Sequence, residues 1–214
     1  MGRLLSPPGP RTAHLCIDMQ NLFAPGAPWA TPWMERVMPF VAALVAHAPA
    51  RTVFTGFIPP KSKEAARGVW KAYYEKWECV TRARLDPHML ELAGPLARFV
   101  PPAHVIDRQT YCAFANGRLE AFLAQHNVDT VVFSGGETDV CVLASVLAAV
   151  DRGYRVILAE DTLCSSSNES HAALMQVYRK RFDIQIELLQ QTKSLPAGAC
   201  DLSAPTVSHV MPDN

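Results

Sequence analysis

The sequence predicts a three-layer α-β-α sandwich, in which helices cover both faces of a six-stranded, mainly parallel sheet of the Rossmann-like type. Two observations predict it: short β-branched runs recur along the chain, and segments with helical periodicity lie between them. The chain has 214 residues, 49% of them apolar, which is enough for one compact core. We therefore expect a single domain over residues 1–214, with irregular tails at 1–11 and 196–214.

Each element has its own local signal. The apolar, β-branched runs predict strands at residues 13–18, 51–58, 103–106, 129–134, 154–159 and 184–188. Residues that favour helix starts predict an N-cap at Thr31 with Pro32 at the first helical position, Asn116 before a helix at 118–126, Thr138 before 139–152, and Asn168 before 169–181. Gly153 is expected to end the third of these helices in the left-handed conformation.

The segment between the second and third strands, residues 59–102, is longer than a crossover requires. It carries Trp70, Tyr73, Tyr74 and Trp77 at helical spacing, which predicts a helical insertion. These aromatic side chains can form a stripe that packs the insertion onto the body, or a wall that faces a substrate. Both interpretations stay open for different members of the set.

Composition excludes several classes of function. The 20 basic and 20 acidic side chains balance, so nucleic acid is not an expected partner. The longest apolar stretch, residues 140–150, is shorter than the roughly 20 residues of a membrane-spanning helix, so no membrane association is expected. Residues 1–11 lack the apolar segment of a secretory signal, and we expect a cytoplasmic protein.

The same stretch, 140–150, is apolar on nearly all sides, although a helix on one face of a sheet normally shows water a polar side. We expect another surface to cover it. A second subunit in a homo-oligomer, dimer or tetramer, is one explanation, and a cap formed by residues 59–102 is the other.

Three side chains follow predicted strands, where ligands bind in open α/β sheets: Asp18, Arg108 and Cys141. In the first turn of a helix capped by Thr138, the Cys141 thiol is expected to have a lowered pKa and to act as a nucleophile. Asp18 follows an apolar run and suits a general base, and Arg108 supplies a positive charge. Each also has a structural alternative: a buried cysteine, a loop-capping carboxylate and a surface ion-pair partner.

Four ordered motifs connect these residues. They are 17–23 (Ile-Asp-Met-Gln-Asn-Leu-Phe), 111–114 (Tyr-Cys-Ala-Phe), 135–142 (Gly-Gly-Glu-Thr-Asp-Val-Cys-Val), and 151–156 (Asp-Arg-Gly-Tyr-Arg-Val) followed by Asp161. Over residues 13–189 the chain resembles the isochorismatase-like cysteine hydrolases, which include nicotinamidases, N-carbamoylsarcosine amidohydrolases and ureidoacrylate amidohydrolases.

The resemblance implies a triad in which Asp18 and Cys141 match the family's residues, while Arg108 stands at the place of the family's lysine. Arginine keeps the charge but is bulkier and cannot be deprotonated. The resemblance further implies a cis peptide between Gly136 and Glu137, and an oxyanion hole formed by the backbone N–H groups of Glu137 and Cys141. Asp161 matches a family aspartate to which we assign a role in holding loops.

No metal and no cofactor are expected. Nicotinamidases hold a metal with an Asp-x-His element after their second strand, and residues 54–60 contain no acid or imidazole. The seven histidines and six cysteines show no ligand spacing. His171 is expected to pack or to form a hydrogen bond.

These observations predict a hydrolase that cleaves an amide or ureido C–N bond of a small molecule through a thioester on Cys141. Gln20, Phe23 and Trp70 are predicted to line the substrate pocket. Two alternatives remain: a vinyl-ether hydrolase of the isochorismatase type, and a catalytically weakened, ligand-binding member in which Arg108 replaces the lysine.

Overall fold

The computed structural model describes residues 4–190. Six strands form one sheet in the order β3-β2-β1-β4-β5-β6, and every neighbouring pair is parallel. The strands are β1 (Thr12–Ile17), β2 (Thr52–Phe57), β3 (His104–Arg108), β4 (Thr130–Gly136), β5 (Arg155–Cys164) and β6 (Ile186–Leu189). The predicted sheet is confirmed, and within the described residues it has no antiparallel strand.

Five helices cover the two faces of the sheet: α1 (Met34–His47), α2 (Trp70–Lys76), α3 (Arg118–Gln125), α4 (Leu143–Asp151) and α5 (Asn168–Arg181). On one face, side chains of α3, α4 and α5 form a core with strand residues such as Leu15 and Phe133. On the other face, α1 and α2 pack with residues such as Cys16 and Phe54. This alternation along β1 and its neighbours is the period-two pattern of strands buried on both sides.

Strand β1 lies in the middle of the sheet, and its carboxyl end meets two others. Ile17 is opposite Thr55 on β2 and Gly135 on β4, while Phe57 on β2 is opposite Arg108 on β3. The carboxyl ends of four strands therefore converge, as the parallel arrangement requires. The residues that follow them are brought together although they are far apart in the chain.

Three predicted helix starts are wrong in detail. Helix α1 begins at Met34, and the Thr31 hydroxyl has no hydrogen-bond partner within the described residues. The Thr138 hydroxyl is buried and donates to the Cys164 carbonyl, so it does not cap a helix. Helix α5 begins at Asn168 itself, because the Ser167 hydroxyl accepts the Ser170 N–H and acts as the cap.

Two other helix ends agree better with the sequence. Asn116 accepts the backbone N–H of Arg118, although Gly117, in the left-handed conformation, is the residue that directly precedes α3. Gly153 has φ +79° just after α4, so the predicted helix end is confirmed.

The insertion, residues 59–102, is less helical than predicted. Its one α-helix is α2, seven residues long, and the rest consists of short 3-10 turns and irregular chain. Prolines interrupt the periodicity, and the Val100-Pro101 and Pro101-Pro102 peptide bonds are cis. The insertion is held to the body by aromatic packing, with Tyr74 fully buried.

Helix α4 buries Ser145, Val146 and Ala149 against the sheet and leaves Leu143 and Leu147 half-buried. The homo-oligomer that would cover this side stays a prediction. Across residues 4–190, no helix has the length and apolar character needed to cross a membrane. The predicted tail at 196–214 lies outside the described residues.

Candidate active site

Asp18 lies directly after β1 and is held from two directions by Thr55 on β2. The Asp18 backbone N–H donates to the Thr55 hydroxyl at 3.1 Å, and the hydroxyl donates to Asp18 Oδ1 at 2.8 Å. Asp18 has φ +51°, a left-handed conformation that turns the chain away from the strand. Its carboxyl group is consequently fixed in one orientation and is completely buried.

Arg108 at the end of β3 reaches across the sheet edge to the same carboxyl group. It donates from one guanidinium nitrogen to Asp18 Oδ2 and from the other to the Thr110 carbonyl. The guanidinium carbon lies 5.3 Å from the centroid of the Phe57 ring, and the side chain is 1% exposed. A surface ion pair is therefore excluded for Arg108.

Cys141 lies in a π-helical turn, Thr138–Val142, that connects β4 to α4. The wider turn replaces the regular first turn of the predicted helix and places the Val142 N–H on the Glu137 carbonyl. The Ser145 hydroxyl donates to the Cys141 carbonyl oxygen at 2.7 Å, and it accepts a hydrogen bond from the Ala113 N–H. These contacts connect the turn with the core beneath it.

Gly135 is required at the end of β4. It has φ +96°, and a Cβ atom at this position would lie 2.1 Å from the Ile17 carbonyl oxygen. Only glycine allows so close an approach of two backbones. The chain then passes through a cis peptide between Gly136 and Glu137 before the Cys141 turn.

The three predicted side chains lie together: Arg108 pairs with Asp18, and the Cys141 thiol is within side-chain hydrogen-bonding reach of both. That pKa is raised, first by burial and then by the Asp18 carboxylate, while Arg108 opposes both. The expectation of a lowered thiol pKa is therefore wrong: the side chain is buried beside an anion, and a helix start supplies only a partial charge.

The Asp18 pKa is also raised, with burial as the largest cause and Arg108 and Thr55 acting in the opposite direction. Burial disfavours the ionised form of both the acid and the thiol. Burial therefore favours the protonated thiol at Cys141, which lies beside the carboxyl group of Asp18.

Cys141 faces a cavity of about 410 Å³. Six of its thirteen lining residues are aromatic, and the others include two carboxylates and a serine. The lining side chains are Phe23, Pro28, Trp29, Ala30, Phe57, Tyr73, Trp77, Tyr111, Glu137, Asp139, Val140, Cys141 and Ser166. The size suits a small molecule.

Of the three predicted pocket residues, Phe23 lines this cavity. Gln20 does not: it is fully buried, its Oε1 accepts the Phe57 N–H at 2.7 Å and its amide donates to the Leu90 carbonyl at 2.8 Å. Trp70 does not line the cavity either. The Trp70 ring packs on the Tyr111 ring, with centroids 4.8 Å apart, and lines a neighbouring depression. Tyr73, on the same helix α2, lines the cavity that Cys141 faces.

The sequence left open whether the aromatic stripe of the insertion packs on the body or faces a substrate, and it assigned no place in the wall to Trp29 or Tyr111. Trp29, Tyr73, Trp77 and Tyr111 line the cavity, and Trp29 contacts Phe23, Phe57, Tyr73 and Trp77 with ring centroids between 5.5 and 6.3 Å apart. Tyr73 and Trp77 belong to the aromatic stripe, four residues apart, and that spacing was the available signal. Trp29 precedes α1 in a loop and had none.

The sequence also assigned roles to two further residues, His171 and Asp161. His171 forms a hydrogen bond with Thr138 at 2.9 Å and packs on Trp33, as predicted. Asp161 lies within β5, and its role in holding loops stays a prediction. Across the part of the chain that the structure describes, no group of three or more His, Cys, Asp or Glu side chains is arranged to hold a metal ion.

Fold and site together define an α/β protein that carries a buried acid, a guanidinium and a thiol at the carboxyl edge of a parallel sheet. Residues 12–189 match the model of the isochorismatase domain, so the chain belongs to the isochorismatase family. The family resemblance predicted from the motifs is confirmed.

Among its relatives, maleamate amidohydrolase of Pseudomonas putida is 30% identical over 87% of this chain and 89% of the relative. N-carbamoylsarcosine amidase of Arthrobacter sp is 27% identical over 72% of this chain, and the match spans 60% of that relative's length. A solved structure of a cysteine hydrolase from Pseudomonas syringae pv. phaseolicola 1448A superposes with a TM-score of 0.75, at 22% identity, covering 90% of this chain and 93% of the other. That similarity shows the fold.

Proposed function

We propose that this protein hydrolyses the C–N bond of a small amide or ureido compound through a thioester on Cys141. The observation that carries the proposal is the buried contact of Asp18, Arg108 and Cys141 beside a cavity of small-molecule size. The relatives named as a maleamate amidohydrolase and an N-carbamoylsarcosine amidase support the class of reaction.

The first step transfers the thiol proton to Asp18 as sulfur attacks the substrate carbonyl carbon. Both pKa values are raised by burial, so the proton moves between two groups of similar environment as the S–C bond forms. The carbonyl oxygen becomes an oxyanion. We assign its stabilisation to the backbone N–H groups of Glu137, which directly precedes the π-helical turn, and of Cys141, which lies within it.

The second step breaks the C–N bond. Asp18 returns the proton to the leaving nitrogen, which departs as ammonia or an amine, and the acyl group stays on Cys141 as a thioester. Water then attacks the thioester with Asp18 as base. The products are the acid and the free thiol, so the enzyme returns to its starting state.

Arg108 acts in this scheme as a fixed charge. A guanidinium is not deprotonated at working pH, so it carries no proton between the reacting groups. Its contact with Asp18 Oδ2 lowers the pKa of that carboxyl group and so opposes the larger effect of burial, which raises it. Its effect on Cys141 favours the thiolate that forms during attack.

One observation favours the alternative of a weakened, ligand-binding member. Arg108 holds Asp18 Oδ2 and Thr55 holds Oδ1, so both oxygens of the base already accept hydrogen bonds. These donors lower the basicity of the carboxylate. The alternative predicts binding of an amide in the cavity without turnover.

The test is ammonia release from a panel of primary amides, carbamoyl compounds and ureas, with intact-protein mass spectrometry to detect an acyl adduct. We expect Cys141→Ala to lower kcat by at least about a thousandfold and to remove the adduct, because the nucleophile is lost. Cys79→Ala changes an exposed cysteine and serves as the control. A Cys141→Ala protein with unchanged turnover of a substrate would contradict the mechanism.

A further inference from the structure

The cavity wall carries an excess of negative charge. Its charged side chains are Glu137 and Asp139, and no lysine, arginine or histidine is among the lining residues that the structure describes. Arg108, the nearest buried cation, is paired with Asp18. Among the described lining residues, a ligand that enters the cavity therefore meets carboxylates and no positively charged side chain.

Neither wall carboxylate is neutralised by a base. Glu137 Oε2 accepts the Ser166 hydroxyl at 2.5 Å and the Ser166 N–H at 3.2 Å, and Asp139 Oδ1 accepts the Ser165 hydroxyl at 2.5 Å. Within residues 4–190, neither takes part in an ion pair. Serine contacts orient a carboxylate, but they leave its charge in place.

The negative charge of Glu137 also affects two tyrosines in the aromatic part of the wall. The pKa of Tyr73 is raised mainly by burial, and Tyr111, Cys141 and Glu137 raise it further. The pKa of Tyr111 is likewise raised by burial first, then by Cys141 and Glu137. The cavity thus disfavours additional negative charge at two separate positions.

The rings themselves suit a cation. The Lys76 ammonium lies 5.8 Å from the Trp77 centroid, and the Arg108 guanidinium carbon lies 5.3 Å from the Phe57 centroid, each from outside the cavity lining. Trp29, between Phe57 and Trp77, has no cation among the described side chains. Aromatic faces combined with carboxylates form the usual recognition site for alkylammonium groups.

We propose that the cavity selects amides whose remaining part carries a positive charge of the alkylammonium type, and that Glu137 and Asp139 supply the selectivity. The inference rests on the proposed function and names its substrate class. It also separates this chain from the two relatives, because maleamate and N-carbamoylsarcosine both carry a carboxylate.

The test uses three amides of matched length. They are 4-(trimethylammonio)butanamide, its uncharged carbon isostere 5,5-dimethylhexanamide, and the ω-carboxylate glutaramate. We expect kcat/KM to be about tenfold higher for the ammonium amide than for the isostere, and lowest for the carboxylate, from the strength of cation–aromatic and charge–charge contacts. A rate for the isostere or the carboxylate that equals or exceeds that of the ammonium amide would overturn the inference.

Variants assign the selectivity to the two acids. Glu137→Gln and Asp139→Asn keep the size of each side chain and its acceptor oxygen, and each is expected to lower the ratio of ammonium to isostere kcat/KM by about threefold. The ratio cancels general effects on the chemical step. Asp183→Asn removes an exposed carboxylate at the opposite edge of the sheet and is expected to leave the ratio unchanged. Unchanged ratios in both cavity variants would contradict the assignment.

A binding measurement separates this inference from the proposed function. Calorimetric titration of the Cys141→Ala protein with the same three amides reports recognition without chemistry. Preferred binding of the ammonium amide, without turnover by the wild-type protein, would contradict the proposed hydrolase activity and would support the charge selectivity. Turnover with a preference for the carboxylate amide would contradict the charge selectivity and would support the proposed hydrolase activity.

Discussion

Two buried polar clusters share the central part of the sheet and differ in charge, and one of them also includes Arg108 of β3. The His14 cluster, inside the sheet, joins His14 to Thr52 at 3.2 Å and to Ser134 at 2.7 Å. The Asp18 cluster, at the carboxyl edge, consists of Asp18, Thr55, Arg108 and Cys141. Each draws on β1, β2 and β4 or the turn that follows it.

The two clusters differ in how they offset the free-energy cost of burying polar groups. The His14 cluster stays neutral, since burial lowers the His14 pKa to about 3 and both ring nitrogens have partners. The Asp18 cluster keeps opposite charges and a thiol beside a cavity. Burial of polar groups thus marks chemistry only where a charge remains and a ligand can reach it.

The largest expected effect comes from removing the cation of the Asp18 cluster. Arg108→Met leaves the Asp18 carboxylate buried without its partner, and the free energy of unfolding at pH 7 should fall by about 3–5 kcal/mol. The loss should shrink as the pH falls, because protonated Asp18 needs no cation. Urea unfolding at several pH values measures it.

Arg108→Lys is the matched control, since it keeps the charge and loses the fork of donors. It should retain more stability than Arg108→Met. Equal stability of the wild type and Arg108→Met at pH 7 would show that the ion pair contributes nothing to the fold.

A smaller effect is expected from acid at the His14 cluster. Because His14 has a folded pKa of about 3 against 6.5 when unfolded, the unfolded state takes up the proton first as the pH falls. Its contribution to stability is complete above pH 6.5 and should decrease by about 2 kcal/mol between pH 7 and pH 5. His14→Gln should lose this part of the pH dependence, and chemical denaturation of both proteins provides the comparison.

The smallest effects compare one hydroxyl from each cluster. Ser134→Ala and Thr55→Val each remove a hydrogen-bond partner and should lower stability by about 1–2 kcal/mol. Only Thr55→Val releases Asp18, so it alone should lower kcat, by about tenfold, with KM little changed. A comparable fall in kcat for Ser134→Ala would erase the functional distinction between the clusters.

The sequence was sufficient for the strands and for the placement of Asp18, Arg108 and Cys141 at one edge of the sheet, because β-branched runs locate strands and parallel strands share a carboxyl edge. It was insufficient for the pocket wall. Gln20 and Phe23 lie in one loop, and no local pattern states that Phe23 faces the cavity while Gln20 bonds to the backbone of Phe57. The direction of such side chains depends on contacts with distant segments.

The chemistry of Cys141 was predicted only in part for a related reason. Its place before a helix was visible, but the π-helical turn, the burial of its side chain and the direct Arg108 to Asp18 contact are tertiary features. These features determine the sign of the thiol pKa shift. Local sequence propensity indicates a turn at this position, but it does not indicate the electrostatic environment of the thiol in the folded protein.

The two carboxylates of the cavity wall have a consequence for the end of the catalytic cycle. Amide hydrolysis turns an uncharged amide group into an acid that ionises at neutral pH, in a cavity whose wall carries Glu137 and Asp139. Like charges repel, so the wall disfavours the newly formed carboxylate relative to the uncharged amide group that it replaces. The acid product is therefore expected to bind more weakly than the amide, and added acid product is expected to inhibit weakly.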